Sequence, residues 1–90
     1  MGLESMTPRK KEPDMSTYSG RLAARLRHLR ELAGLSVSEV LEQLDAAGIK
    51  VAMSAYYSWE AGTRQVPLDI APALAPIFGL KHPRSLFPLD

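Results

Sequence analysis

An all-α fold, a compact domain of four to five short helices, is predicted by three features of the sequence. Apolar residues recur at helical spacing: Leu22, Leu26, Leu29 and Ala33; then Val40, Leu41 and Leu44; then Ile70, Leu74, Ile77 and Phe78. Each such segment, and the one around Trp59, runs into a glycine: Gly34, Gly48, Gly62 and Gly79. Glycine after the last helical residue is the commonest helix stop. No strand pattern and no internal repeat are visible, and 90 residues with 46% hydrophobic content make one small domain.

Residues 1–17 are polar, contain Pro8 and Pro13, and show no periodicity. They are expected to form a disordered arm, its Arg9-Lys10-Lys11 run solvated, ahead of a domain at 18–90. Helix one is expected over 18–33, with Ser16, Thr17 or Ser19 as its cap and Gly34 as its stop. Its stripe of Leu22, Leu26, Leu29 and Ala33 would be buried, with Arg30 at the border. Helix two is expected over about residues 37–47. Ser36-Val37-Ser38-Glu39 is a capping box, with Leu35 and Val40 at the staple positions around it.

Between Leu44 and Val51 the chain is longer than the turn of about 3–4 residues that usually joins two such helices. Ile49 and Val51 flank Lys50, which predicts an extended linker held by two apolar contacts. Helix three is expected over about residues 53–61, ending at Gly62, with Ser54 able to replace Ala52 as the cap. Ala55, Tyr56 and Trp59 share its inner face, Trp59 as the main aromatic of the core. Met53, Ser54, Tyr57 and Ser58 look outward. Helix four is expected after Pro67 and Leu68, with Asp69 as cap and the interior Pro76 shortening it. Pro83 to Pro88 allow one more helical turn.

Composition and motifs narrow the function. There is no cysteine, hence no disulfide and no thiolate metal site, which suits a reducing cytoplasm. No apolar run is long enough for a membrane span, and the N-terminus lacks the apolar core of a signal peptide. His28 and His82 have no companions at metal-ligand spacing, and no nucleophile or phosphate-loop motif is present. No enzyme activity, metal, cofactor or membrane association is expected. The net charge is only +1, but Arg21, Arg25, Arg27 and Arg30 cluster on helix one, so local patches could meet phosphate.

Two short helices joined by a turn, the second with small and polar side chains outward, have the layout of a helix-turn-helix reader. The ordered set LRHLRELAGLSVSEVLEQL, V-x-x-S-x-x-x-S-W-E-x-G and VPLDIAPALAPIFGL, over roughly residues 18–87, resembles the phage-repressor (Cro/lambda-repressor, Xre) family. The resemblance implies a lambda-repressor-like domain that binds double-stranded DNA and regulates transcription, most simply as a repressor at the nucleoid. It implies base contacts from Met53, Ser54, Tyr57 and Ser58, and phosphate contacts from Ser36, Ser38, Thr63, Arg64 and Gln65. Val37 stands where the family commonly carries a phosphate-binding Gln. An ion pair between Arg30 and Glu60 is implied by the positions they match. So is a homodimer on a pseudo-palindromic site, for which Leu80, Leu86, Phe87 and Leu89 offer apolar surface. The competing reading is a protein-interaction module of the same fold, antitoxin-like or a phage accessory factor, with little DNA affinity.

Overall fold

The helices are cut from the chain by local signals, of which the stops are the most uniform. The computed structural model describes residues 13–88. It contains α1 Tyr18–Leu32, α2 Val37–Ala46, α3 Met53–Ala61, α4 Ala71–Ile77 and a 3-10 turn, Pro83–Leu86. No strand occurs among the described residues. The expectations for residues 1–12 and for Leu89 lie outside the described residues.

All four helices end in the same pair of backbone hydrogen bonds. After α1, Leu35 N–H reaches the Arg30 carbonyl at 3.2 Å and Gly34 N–H reaches Glu31 at 3.0 Å. Ile49 and Gly48 do the same for α2, Thr63 and Gly62 for α3, Leu80 and Gly79 for α4. This arrangement needs a left-handed residue, and the four glycines have φ between 73° and 86°. It also folds the next residue back onto the helix. In three cases that residue is apolar and packs against the core: Leu35, Ile49 and Leu80. After α3 it is Thr63, which is exposed.

Every element delivers a fully enclosed side chain to one core. These are Leu26 from α1, Val40 and Leu44 from α2, Tyr56 from α3, Leu74 from α4 and Leu86 from the 3-10 turn. Each buried Leu is worth about 1.5–3 kcal/mol relative to exposure. α1 packs on α3 and on the 3-10 turn, α2 on α3 and α4, and α4 on the 3-10 turn. Ile49 and Val51 pack on the core edge with Lys50 exposed between them, so the linker is tethered as expected.

Several boundaries differ from expectation. Short-range hydrogen bonds join residues 14–17 to the start of α1. Asp14 Oδ1 accepts from Ser16 N–H and Oγ, the Asp14 carbonyl accepts from Thr17, and Thr17 Oγ1 caps Gly20 N–H at 2.9 Å. Gly20 makes this possible: a Cβ there would lie 1.7 Å from the Asp14 carbonyl oxygen. α1 stops at Leu32, so Ala33 is its exposed cap rather than part of the buried stripe. Asp69 does not cap α4. Residues 68–70 form a turn, Ile70 takes the cap position without a side-chain bond, and the helix starts at Ala71. α3 starts at Met53 behind Ala52 with no side-chain cap, so Ser54 does not replace it.

Candidate nucleic-acid interface

α2, residues 47–52 and α3 form the helix, turn and helix of the candidate site. α3 is fixed from behind. Tyr56 is completely buried and Trp59 nearly so, their rings edge to face at 5.5 Å. Tyr56, not Trp59, is thus the deeper aromatic. Glu60 is the buried charged residue of the core region, and Arg30 of α1 meets it through a fork: Nε to Oε2 at 2.6 Å and Nη2 to Oε1 at 3.0 Å. Arg30 Nη1 also donates to the Leu35 carbonyl at 2.9 Å, clamping the α1–α2 corner. Donation to the Glu60 carboxylate holds the guanidinium protonated more firmly than an exposed arginine, against the penalty of burial. The Tyr56 hydroxyl lies beside this pair without a well-aligned hydrogen bond. Burial first, then the Glu60 charge, push its pKa upward, with Arg30 pulling the other way.

With its inner face locked, α3 presents Met53, Ser54, Tyr57 and Ser58 on the opposite side. Met53 is 42% and Tyr57 45% exposed. Ser54 is exposed and Ser58 half-buried. Ser58 Oγ donates to the Ser54 carbonyl at 3.0 Å, one turn back, which leaves it an acceptor only. The outward face of α3 therefore carries no charge of either sign.

The flanking residues divide into engaged and open ones. Ser36 is not a source of free donors. Its N–H donates to Glu39 Oε1 at 2.8 Å, and its Oγ accepts from Glu39 N–H at 3.1 Å. The capping box thus places a carboxylate on the start of α2, where an incoming phosphate would meet it. Ser38 is exposed, and the first N–H groups of a helix have no acceptor within it. Val37 is buried and closed to any ligand. Beyond α3, Thr63 Oγ1 donates to the Ser58 carbonyl at 3.3 Å and Gln65 Nε2 to Ser19 Oγ at 2.9 Å. Arg64 between them is exposed, and its side chain has no hydrogen bond or ion pair with other described residues.

Most arginines of α1 have internal acceptors. Arg25 donates through Nε and Nη2 to the Ser85 carbonyl at 3.0 and 2.8 Å. Arg27 meets Glu31 at 3.3 Å, and Arg21 donates to the Met15 carbonyl. The Arg25–Ser85 link escaped sequence reasoning because its partners are 60 residues apart and one is a backbone atom. The apolar tail is likewise engaged: Leu86 is fully buried, and Leu80 and Phe87 pack against the core. Among the described residues no group of His, Asp or Glu is arranged to hold a metal, and no helix is long and apolar enough to cross a membrane.

Comparison with known proteins adds one match. A family model described as "Helix-turn-helix domain" covers residues 21–86. Comparison with curated proteins and with solved structures found no match.

Proposed function

The chain belongs to the helix-turn-helix domain family, and on that premise we propose that it is a sequence-specific double-stranded DNA-binding regulator of transcription, most simply a repressor, that reads the major groove with α3. The observation that carries this reading is the division of α3. One face is locked by Tyr56, Trp59 and the Arg30–Glu60 fork, and the other holds Met53, Ser54, Tyr57 and Ser58 open and uncharged. A helix so held fits the major groove, with the preceding helix across the backbone. Arg64, open at the end of α3, is the principal phosphate contact, with Ser38 at the start of α2. Ser36, Thr63 and Gln65 contribute only if their internal hydrogen bonds open. Such a protein acts in the cytoplasm, at the nucleoid.

A second copy on a pseudo-palindromic site, half-sites about 34 Å apart, follows from the resemblance alone. The apolar tail no longer argues for it, because the described part of that tail is packed against the monomer's own core.

The test is duplex binding as a function of salt by the wild type, Ser54→Ala and Arg64→Ala. Phosphates carry charge without sequence, and base edges carry sequence without net charge. Arg64→Ala should weaken binding to all sequences alike and lower the salt slope by about one. Ser54→Ala should change base preference. Discrimination should sit at the low end of ~1–3 kcal/mol per mismatched pair, because no bidentate Arg, Asn or Gln faces outward. A protein with no duplex affinity at low salt would instead be a protein-interaction module of this fold.

A further inference from the structure

We propose that α3 reads thymine methyl groups: Met53 and Tyr57 select their base pairs by apolar contact with the C5-methyl in the major groove. The inference rests on the DNA-binding reading above and narrows it to one class of base.

Met53 and Tyr57 lie one helical turn apart and are each more than two-fifths exposed, while the apolar residues of the opposite face are closed into the core. The Met53 thioether and the Tyr57 ring, with its hydroxyl at the tip, form a largely apolar strip that the core leaves partly open to solvent. Around the strip there are only hydroxyls. Ser54 is free to donate or accept, whereas Ser58 donates to the Ser54 carbonyl and retains acceptor capacity alone. No Arg, Lys, Asn, Gln or acidic side chain shares this face, since Glu60 is turned inward onto Arg30.

The bases offer this strip one matching group. Every base pair shows donors and acceptors in the major groove, but thymine alone adds a methyl. A thioether laid over an amino group or a carbonyl strips it of water and returns a weak hydrogen bond to the first and none to the second, which is unfavourable. The same thioether over a methyl removes apolar surface from water on both sides. Selection at Met53 therefore favours thymine, and the Tyr57 ring edge acts alike at a neighbouring pair.

The test separates this claim from DNA binding itself. Bound sites are selected by the wild type from random duplexes, and each thymidine of the preferred site is then replaced singly by deoxyuridine. That exchange deletes the methyl and keeps every donor and acceptor. At one or two positions the wild type should lose about fourfold in affinity, the equivalent of one buried methyl. Met53→Ala and Tyr57→Ala should each abolish the difference at one position and retain it at the other. Neither residue belongs to the buried core, so their variants should stay fully folded at the assay temperature, with at most a small fall in thermal midpoint. A wild type that prefers a site yet binds its thymidine and deoxyuridine forms equally overturns the methyl claim and leaves the DNA-binding reading standing. So do variants that keep the full difference at every position. A wild type that binds no duplex overturns both.

Discussion

Glu60 and Tyr56 show how one partly buried charge pair constrains its neighbours. Glu60→Ala leaves the Arg30 guanidinium enclosed without its carboxylate, and such losses cost about 3–5 kcal/mol. Urea unfolding should show this as a lowered midpoint with an unchanged slope. Tyr56→Phe should behave differently. It removes a buried hydroxyl without a well-aligned partner, so stability at neutral pH should stay level or rise slightly. The pH dependence follows from the raised pKa of Tyr56. In the unfolded chain the phenol ionises near pH ~10, while the folded protein still holds it neutral. The contribution is thus complete below about pH 10 and is lost as pH rises above it. Tyr56→Phe should flatten this alkaline fall in unfolding free energy. At this scale the sequence was partly legible. The inward face of α3 could be read from spacing, but the order of depth of Tyr56 and Trp59 depends on how α1 and α2 pack against it.

Helix ends were the most legible level where the signal is local. The Ser36–Glu39 box and the glycine stops are written within a few residues, and α2 begins and ends where they place it. Asp69 failed as a cap because residues 67–71 close a turn first: Ile70 and Ala71 N–H both reach the Pro67 carbonyl. A side chain suited to capping is no signal when the backbone has already turned at that point. The contrast can be measured. Ser36→Ala should cost about 0.5–2 kcal/mol. Asp69→Ala should change stability by less than about 0.5 kcal/mol. The same logic separates the α3 stop from the other three. Leu35, Ile49 and Leu80 fold back as apolar pegs, whereas Thr63 folds back exposed and delivers Arg64 to solvent. That difference was visible in the sequence only as one polar residue after one glycine.

For the whole molecule, a near-neutral total conceals a division of labour among its charges. Arg25 and Arg30 tie α1 to Ser85 and Glu60, Arg27 pairs with Glu31 on the surface of α1 itself, and Arg64 stays exposed. The arginine-rich helix read from sequence as a phosphate patch because composition does not reveal which guanidinium groups have internal acceptors. The fold class was accessible from periodicity and glycine placement. The closing contacts were not, because they join residues from opposite ends of the domain.

That closure has a consequence for how the protein is made. Leu86 is the last of the fully enclosed side chains to be synthesised, and the carbonyl that Arg25 grips belongs to the residue before it. A nascent chain that has just completed α2 holds Leu26, Val40 and Leu44 before the residues of α3, α4 and the 3-10 turn that complete their core exist. At about 5–20 residues per second, roughly 2–8 s separate residue 46 from residue 86, whose turn packs on α1 and α4. Through that interval the chain lacks the side chain and the carbonyl that close the domain. A fragment ending at residue 81 reproduces this arrested state. It should keep helical circular dichroism, bind a hydrophobic dye and melt without a cooperative transition, whereas the full chain should show a single sharp one.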